Sequence, residues 1–168
     1  MRILISTPSF LPVINGVTFR VQMMTEYYLN QGHSVVIVTP SPEVTTTSYK
    51  SARIYRLPSK PLPKLLGGKV YPGVFIFANN VEEKLYNICS RHEIQIIHIC
   101  GPCQAFPFTK VASRLGIAVV MSINTEGSAF LTKAFKIPKY IESFSETSMN
   151  SIMRKPLGFH QVDLIYCM

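Results

Sequence analysis

The chain has 168 residues, 47% of them hydrophobic, which suffices to bury one core and argues for a single domain over residues 1–168. Its apolar runs fall far short of the roughly 20 residues that span a bilayer, and Pro8 and Pro12 interrupt the N-terminus where a signal peptide needs its apolar stretch, so a cytoplasmic protein, soluble or peripheral on a membrane, is expected. The net charge of +8, from 17 Lys/Arg against 9 Asp/Glu, suits anionic partners; no RNA- or DNA-binding motif accompanies it and the aromatics form no stacking pattern among the basic residues, so nucleic acid is not expected.

In chain order the pattern alternates strands and helices, which predicts an α/β, Rossmann-like fold with a central parallel sheet and helices on both faces. Arg2–Ser6 is the first strand, with the apolar run Ile3-Leu4-Ile5. A loop over residues 7–15 leads into a helix over 17–31, in which Val17, Val21, Met24 and Tyr28 share one face. Gly32 stands where that helix must stop, and supplies a left-handed cap. Strands follow at 34–39, 53–57, 74–77, 94–99, 117–123 and 162–166, several as continuous apolar runs typical of strands covered on both faces. Further helices are predicted at 81–92, with Val81, Leu85 and Ile88 on one stripe, at 104–115, closed by Gly116, and at 139–154.

Two stretches break the alternation. Residues 58–73 carry four prolines with Lys60, Lys64 and Lys69, a long basic loop of the kind that is usually functional or mobile. Residues 128–140 interleave Phe130, Leu131, Phe135 and Ile137 with Lys133, Lys136 and Lys139. The latter reads either as a solvated face over core aromatics or as an interfacial segment whose lysines hold anionic headgroups.

The stretch Thr7–Arg20 carries the most chemistry. A strand, a Gly-bearing loop and a helix start combine exposed N–H groups with the helix dipole, which together favour an anion. Gly16 lets a ligand approach the backbone without a Cβ in the way. The competing reading of Asn15-Gly16 is a plain turn between strand and helix. The loop is neither a GxGxxG nor a P-loop.

With its Pro-rich loop, Asn15-Gly16-Val17 and the later Gln31-Gly32-His33-Ser34-Val35, this opening resembles the start of family 4 retaining glycosyltransferases, GT-B enzymes of two Rossmann-like halves. Ile96-Ile97-His98 entering a Gly-Pro loop, and residues 116–125, match as well. The look is closest to members that glycosylate diacylglycerol with glucosyl or sulfoquinovosyl groups. The resemblance covers nearly the whole chain but only the N-terminal, acceptor-side half of such an enzyme. It implies transfer of a hexose from a nucleotide diphosphate sugar to an acceptor, a lipid being one candidate, with retention and without metal or other cofactor.

Site roles follow from the same resemblance. Asn15, Gly16, Val17, Gly101 and Thr125 are expected to bind donor or substrate, and Asn124 and Glu126 to line the reacting centre. Members usually place a His where Asn124 stands; an amide hydrogen-bonds but carries neither proton nor charge. Lys133, Lys136 and Lys139 are expected at a membrane or acceptor surface. The family's second half, which holds the nucleotide sugar, carries two glutamates eight positions apart, and no two glutamates here have that spacing. That domain is therefore expected to be absent from this chain and supplied separately or by fusion. A catalytically silent half-domain, acting as a binding or regulatory module, is the alternative.

A third reading comes from Cys100-Gly101-Pro102-Cys103, which spells the thioredoxin dithiol. Ile99 stands where thioredoxins have Trp, and the patterning of the preceding residues is a different βα series. The remaining cysteines, Cys89 and Cys167, have no second close pair with which to hold zinc. His33, His92 and His160 read as structural or exposed, and His98 as a core histidine at the end of a buried strand.

Overall fold

The computed structural model describes residues 1–59, 80–101, 104–123 and 164–167. Seven strands form one sheet, β1 (Arg2–Ser6), β2 (Ser34–Ser41), β3 (Thr45–Tyr49), β4 (Ala52–Pro58), β5 (Ile96–Cys100), β6 (Ala118–Ile123) and β7 (Leu164–Cys167), in the order β3-β4-β2-β1-β5-β6-β7. Three helices accompany them, α1 (Gly16–Asn30), α2 (Val81–Arg91) and α3 (Ala105–Leu115). The expected strand 74–77, helix 139–154 and basic segment 128–140 lie outside the described residues, as does the loop 58–73 beyond Ser59.

Side-chain alternation sorts the core into two layers, as a sheet covered on both faces requires. Ile3, Ile5, Val35 and Ile37 point to the α1 side and meet Val21, with Val17, Met24 and Tyr28 packed against them. Leu4, Val36, Val38, Ile97 and Ile99 point the other way, onto Leu85 and Ile88 of α2 and Phe108 and Val111 of α3. Each such side chain, once buried, contributes about 1.5–3 kcal/mol.

The boundaries of α1 follow from local chemistry. Asn15 caps its start, its Oδ1 accepting from the Thr18 N–H at 2.9 Å. At its end Gly32 takes φ 75°. The N–H groups of Gly32 and His33 then close back on the carbonyls of Leu29 and Tyr28, both at 3.0 Å, a Schellman ending.

One further strand, at the edge of the expected central parallel sheet, runs antiparallel. β3 pairs antiparallel with β4, from Thr45 opposite Arg56 to Tyr49 opposite Ala52. Its residues Thr-Thr-Thr-Ser-Tyr favour extended backbone but show no apolar alternation, because every residue before Tyr49 is exposed at the sheet edge. The two-residue turn uses Lys50 at φ 52° instead of a glycine, so the usual hairpin signature is missing.

Candidate functional site at the carboxyl edge of the sheet

In an open parallel sheet, ligands bind beyond the carboxyl ends of the strands. Here β1, β5 and β6 are adjacent and parallel, so the loops that follow them leave along one edge. Asn15, Gly16 and Val17 lie after β1 and Gly101 after β5. Asn124, Thr125 and Glu126 come directly after β6, but their positions lie outside the described residues, as do those of Lys133, Lys136 and Lys139.

The loop after β1 is largely bonded to itself. The Thr7 N–H donates to the Val38 carbonyl at 3.0 Å, and the Thr7 hydroxyl donates to the Ser9 carbonyl at 2.8 Å. The Asn15 amide donates to the Ser9 hydroxyl at 3.0 Å while its oxygen caps Thr18. The Thr18 hydroxyl in turn donates to the Val13 carbonyl at 2.8 Å. The Asn15 side chain is thereby committed to the helix cap, which sequence alone did not reveal. Val17 is half-buried and packs on the core below α1, so its side chain is committed as well.

What this loop offers a ligand is backbone. The first N–H groups of a helix have no intrahelical acceptor. Thr18 is served by Asn15 and Phe19 by the Asn15 carbonyl, and Gly16 and Val17 are the first-turn N–H groups that these two bonds do not serve. A Cβ placed on Gly16 would meet nothing within 4 Å, so the space on that side of Gly16 is open.

The edge after β5 is arranged differently. Gly101 takes φ 108°, which favours glycine, and its N–H donates to the Ser122 carbonyl at the end of β6 at 3.1 Å. Gln104, at the start of α3, makes no side-chain cap. It is fully buried, yet neither atom of its amide has a hydrogen-bond partner among the described residues. The hydroxyls of Ser6 and Thr39, near the carboxyl ends of β1 and β2, are buried and without a partner among the described residues too. Buried polar atoms are nearly always paired, and each unpaired one costs about 1–3 kcal/mol. Their gathering along one edge was not legible from residue types.

His98 faces α1 from β5 and is 3% exposed. Its Nδ1 lies 3.4 Å from the Tyr28 hydroxyl and its Nε2 3.2 Å from the Ser122 hydroxyl. Burial, helped by the positive charge of Arg20, pushes its pKa down to about 4, so the ring is neutral near pH 7. It is a satisfied core histidine that ties α1 to β6. His33 meets the N-terminal amine at 3.2 Å and His92 the Tyr55 hydroxyl at 2.7 Å, which makes both structural.

Cys100 argues against the dithiol reading. It is 1% exposed, and burial pushes its thiol up to about 11, only partly offset by a hydrogen bond with Ser122 and the charge of Arg20. A redox nucleophile needs the reverse, an accessible thiolate of lowered pKa. Cys103 lies outside the described residues.

With this geometry in view, comparison with known proteins is direct. A GDP-mannose-dependent alpha-mannosyltransferase of Mycolicibacterium smegmatis is 24% identical over 135 residues, covering 77% of this chain and 34% of that protein, so this chain spans about a third of its relative's length. Among solved structures, the sucrose-phosphate synthase of Thermosynechococcus elongatus superposes with a TM-score of 0.56 at 14% identity, covering 98% of this chain and 41% of that one. An alpha-glucosyltransferase in complex with UDP and a mismatched 13-mer DNA gives 0.50 at 15% identity, covering 99% and 37%. At such identities the structures share the fold, an α/β Rossmann-like arrangement. The model of Glycosyltransferase Family 4 matches residues 14–168, nearly the whole chain and including the start of α1 and the edge described above: the chain belongs to glycosyltransferase family 4.

Proposed function

We propose that this chain is the acceptor-side domain of a glycosyltransferase that moves a hexose from a nucleotide diphosphate sugar to a lipid acceptor with retention of configuration. The observation that carries the reading is the common edge. The loops after β1 and β5 leave the sheet side by side, β6 ends beside them, and the first residue after β6 is Asn124.

In this reading the leaving diphosphate lies against the N–H groups of Gly16 and Val17, where the helix dipole favours negative charge. Preorganised donors of this kind stabilise a leaving group without a metal. Thr125 and Gly101 border the sugar, and Asn124 holds a hydroxyl through its amide in place of the family's usual His. Glu126 is the nearest ionisable group to the reacting centre, and Lys133, Lys136 and Lys139 hold the acceptor's membrane surface. The second half of the enzyme, which would carry most of the donor site, is supplied by a further domain.

A silent binding module is favoured by Asn124 in the His position. One assay separates the readings. The full enzyme, this chain joined to the domain that supplies the donor half, is incubated with UDP-glucose or GDP-mannose and diacylglycerol vesicles, and both glycolipid formation and nucleotide-sugar binding are followed. Transfer that is lost in Glu126→Gln supports the proposal. Binding without turnover supports the silent module, and neither binding nor turnover overturns both.

A further inference from the structure

One stripe of α1 leads from the core to the carboxyl edge of the sheet. Gly16, Arg20, Met24 and Tyr28 recur at every fourth position, so they lie on one side of the helix. Met24 and Tyr28 pack against the core, and the Tyr28 hydroxyl lies 3.4 Å from Nδ1 of His98 on β5. The inner end of the stripe therefore stands over β5. Because β1 and β2 are parallel, α1 between them runs against the strands, and its start lies at their carboxyl ends. From Tyr28 back to Arg20 the helix rises about 12 Å. A strand advances about 3.3 Å per residue, so the same distance along β5 leads past Cys100 to Gly101 and the loop that follows.

Helical side chains lean towards the N-terminus, so the half-buried Arg20 reaches back over the first turn of α1, where Gly16 and Val17 hold the N–H groups that Asn15 does not serve. Electrostatics agrees with this placement. Burial chiefly sets the pKa values of His98 and Cys100, and the Arg20 charge adds to the downward shift of the first and offsets part of the upward shift of the second. Two other cations on this side of the sheet are engaged elsewhere. Arg56 donates to the Thr47 hydroxyl at 2.7 Å and to the Leu11 carbonyl, and Lys50 pairs with Glu26 at 2.8 Å. Arg20 also interacts within the protein, but a guanidinium carries five N–H donors, more than one internal partner takes up.

We infer that Arg20 binds the diphosphate of the donor nucleotide, together with the N–H groups of Gly16 and Val17. This rests on the glycosyltransferase reading and deepens it, by placing a side-chain cation for the leaving group on this domain. Two backbone N–H groups offset the charge of a diphosphate only in part, whereas a guanidinium fork meets two phosphate oxygens at once and brings a full positive charge. Negative charge on the diphosphate grows as the bond to the sugar breaks, so a fixed cation at this position favours departure of the leaving group. The contact is to phosphate, and the nucleoside is held without it.

The test reads binding, not turnover, on the full enzyme, this chain joined to the domain that supplies the donor half. Calorimetric titrations compare UDP with uridine and GDP with guanosine. The wild type is expected to bind one diphosphate more tightly than its nucleoside. Arg20→Ala is expected to bind that diphosphate about tenfold more weakly with nucleoside binding unchanged, and Arg20→Lys to recover part of the loss. A second measurement needs no variant to fold: in the 15N-labelled wild type the Arg20 Nε–H resonance should move with the diphosphate and stay in place with the nucleoside. The inference is overturned if Arg20→Ala keeps the wild-type affinity for the diphosphate, or if the Arg20 resonance ignores it. Equal losses for diphosphate and nucleoside would also overturn it, and would make Arg20 a purely structural residue. In all three cases the glycosyltransferase reading stands. A wild type that binds neither diphosphate would remove that reading and the inference together.

Discussion

The starts of α1 and α3 stand along the same edge of the sheet, at the ends of neighbouring strands, and they solve the same problem in opposite ways. At α1 the side chains satisfy one another: Asn15 caps Thr18 and binds Ser9, and Thr18 binds the Val13 carbonyl. What the loop then offers a ligand is the first backbone N–H groups of the helix. At α3 the residue in the cap position, Gln104, makes no side-chain cap, and its buried amide has no hydrogen-bond partner among the described residues. The first helix start is a finished structural unit that presents a backbone surface, and the second holds polar atoms in reserve. The two should therefore respond differently to substitution.

The largest expected effect concerns a buried residue that ties α1 to β6. His98 of β5 bonds to Tyr28 of α1 and to Ser122 of β6. In the unfolded chain a histidine takes up a proton near pH 6.5, whereas in the folded protein His98 resists protonation until about 4. Its contribution is complete above pH 6.5 and is lost as the pH falls through that window, amounting to about 3 kcal/mol at the acid end. Urea unfolding near neutrality and near about pH 5 should differ by about 2 kcal/mol from this group. His92, whose pKa is also lowered by burial and by Arg53, acts in the same direction. In His98→Gln most of the acid sensitivity should vanish; an unchanged pH profile would mean that the ring is not held neutral.

Next in size is the cap. Asn15→Ala removes the acceptor for Thr18 and leaves the Ser9 hydroxyl without the Asn15 amide, at a cost of about 1–2 kcal/mol by denaturant unfolding. Gln104→Leu should go the other way. With no partner to lose, it is expected to be neutral or stabilising by up to about 1 kcal/mol. A destabilisation as large as that of Asn15→Ala would show that the Gln104 amide is bonded in solution, and the contrast between the two helix starts would fail.

What sequence alone makes legible is what periodicity and capping residues encode. The Ile3-Leu4-Ile5 run, the Val17–Val21–Met24–Tyr28 face and Gly32 at the helix end place β1, α1 and β2 within a residue or two of their observed bounds. β3 escapes because Thr45–Tyr49 lies exposed at the edge and turns on Lys50 without a glycine. The site is legible only as far as its backbone. Asn15 and Gly16 mark the loop, but which partner an amide has chosen depends on neighbours brought in by the fold. Nothing in the letters distinguishes the spent Asn15 from the unpartnered Gln104. The outward ridge of Phe19, Met23 and Tyr27 is hidden in the same way, since both faces of α1 are apolar and only the fold tells which is covered.

The smallest expected effect on stability belongs to Gly16. Gly16→Ala should shift unfolding by no more than about 0.5 kcal/mol, because the added Cβ meets nothing and alanine suits a helix. The same methyl group would stand in the open space on that side of Gly16. That makes the position the cleanest probe of whether the edge binds a diphosphate. The most direct measurement is a titration of the 15N-labelled chain with UDP and with GDP, followed in the amide spectrum. The account predicts that the resonances of Gly16, Val17 and Gly101 move together and that Gly16→Ala weakens the response severalfold. Shifts confined to the opposite edge, around Ser34 and Gln95, or no shifts at all, would contradict it.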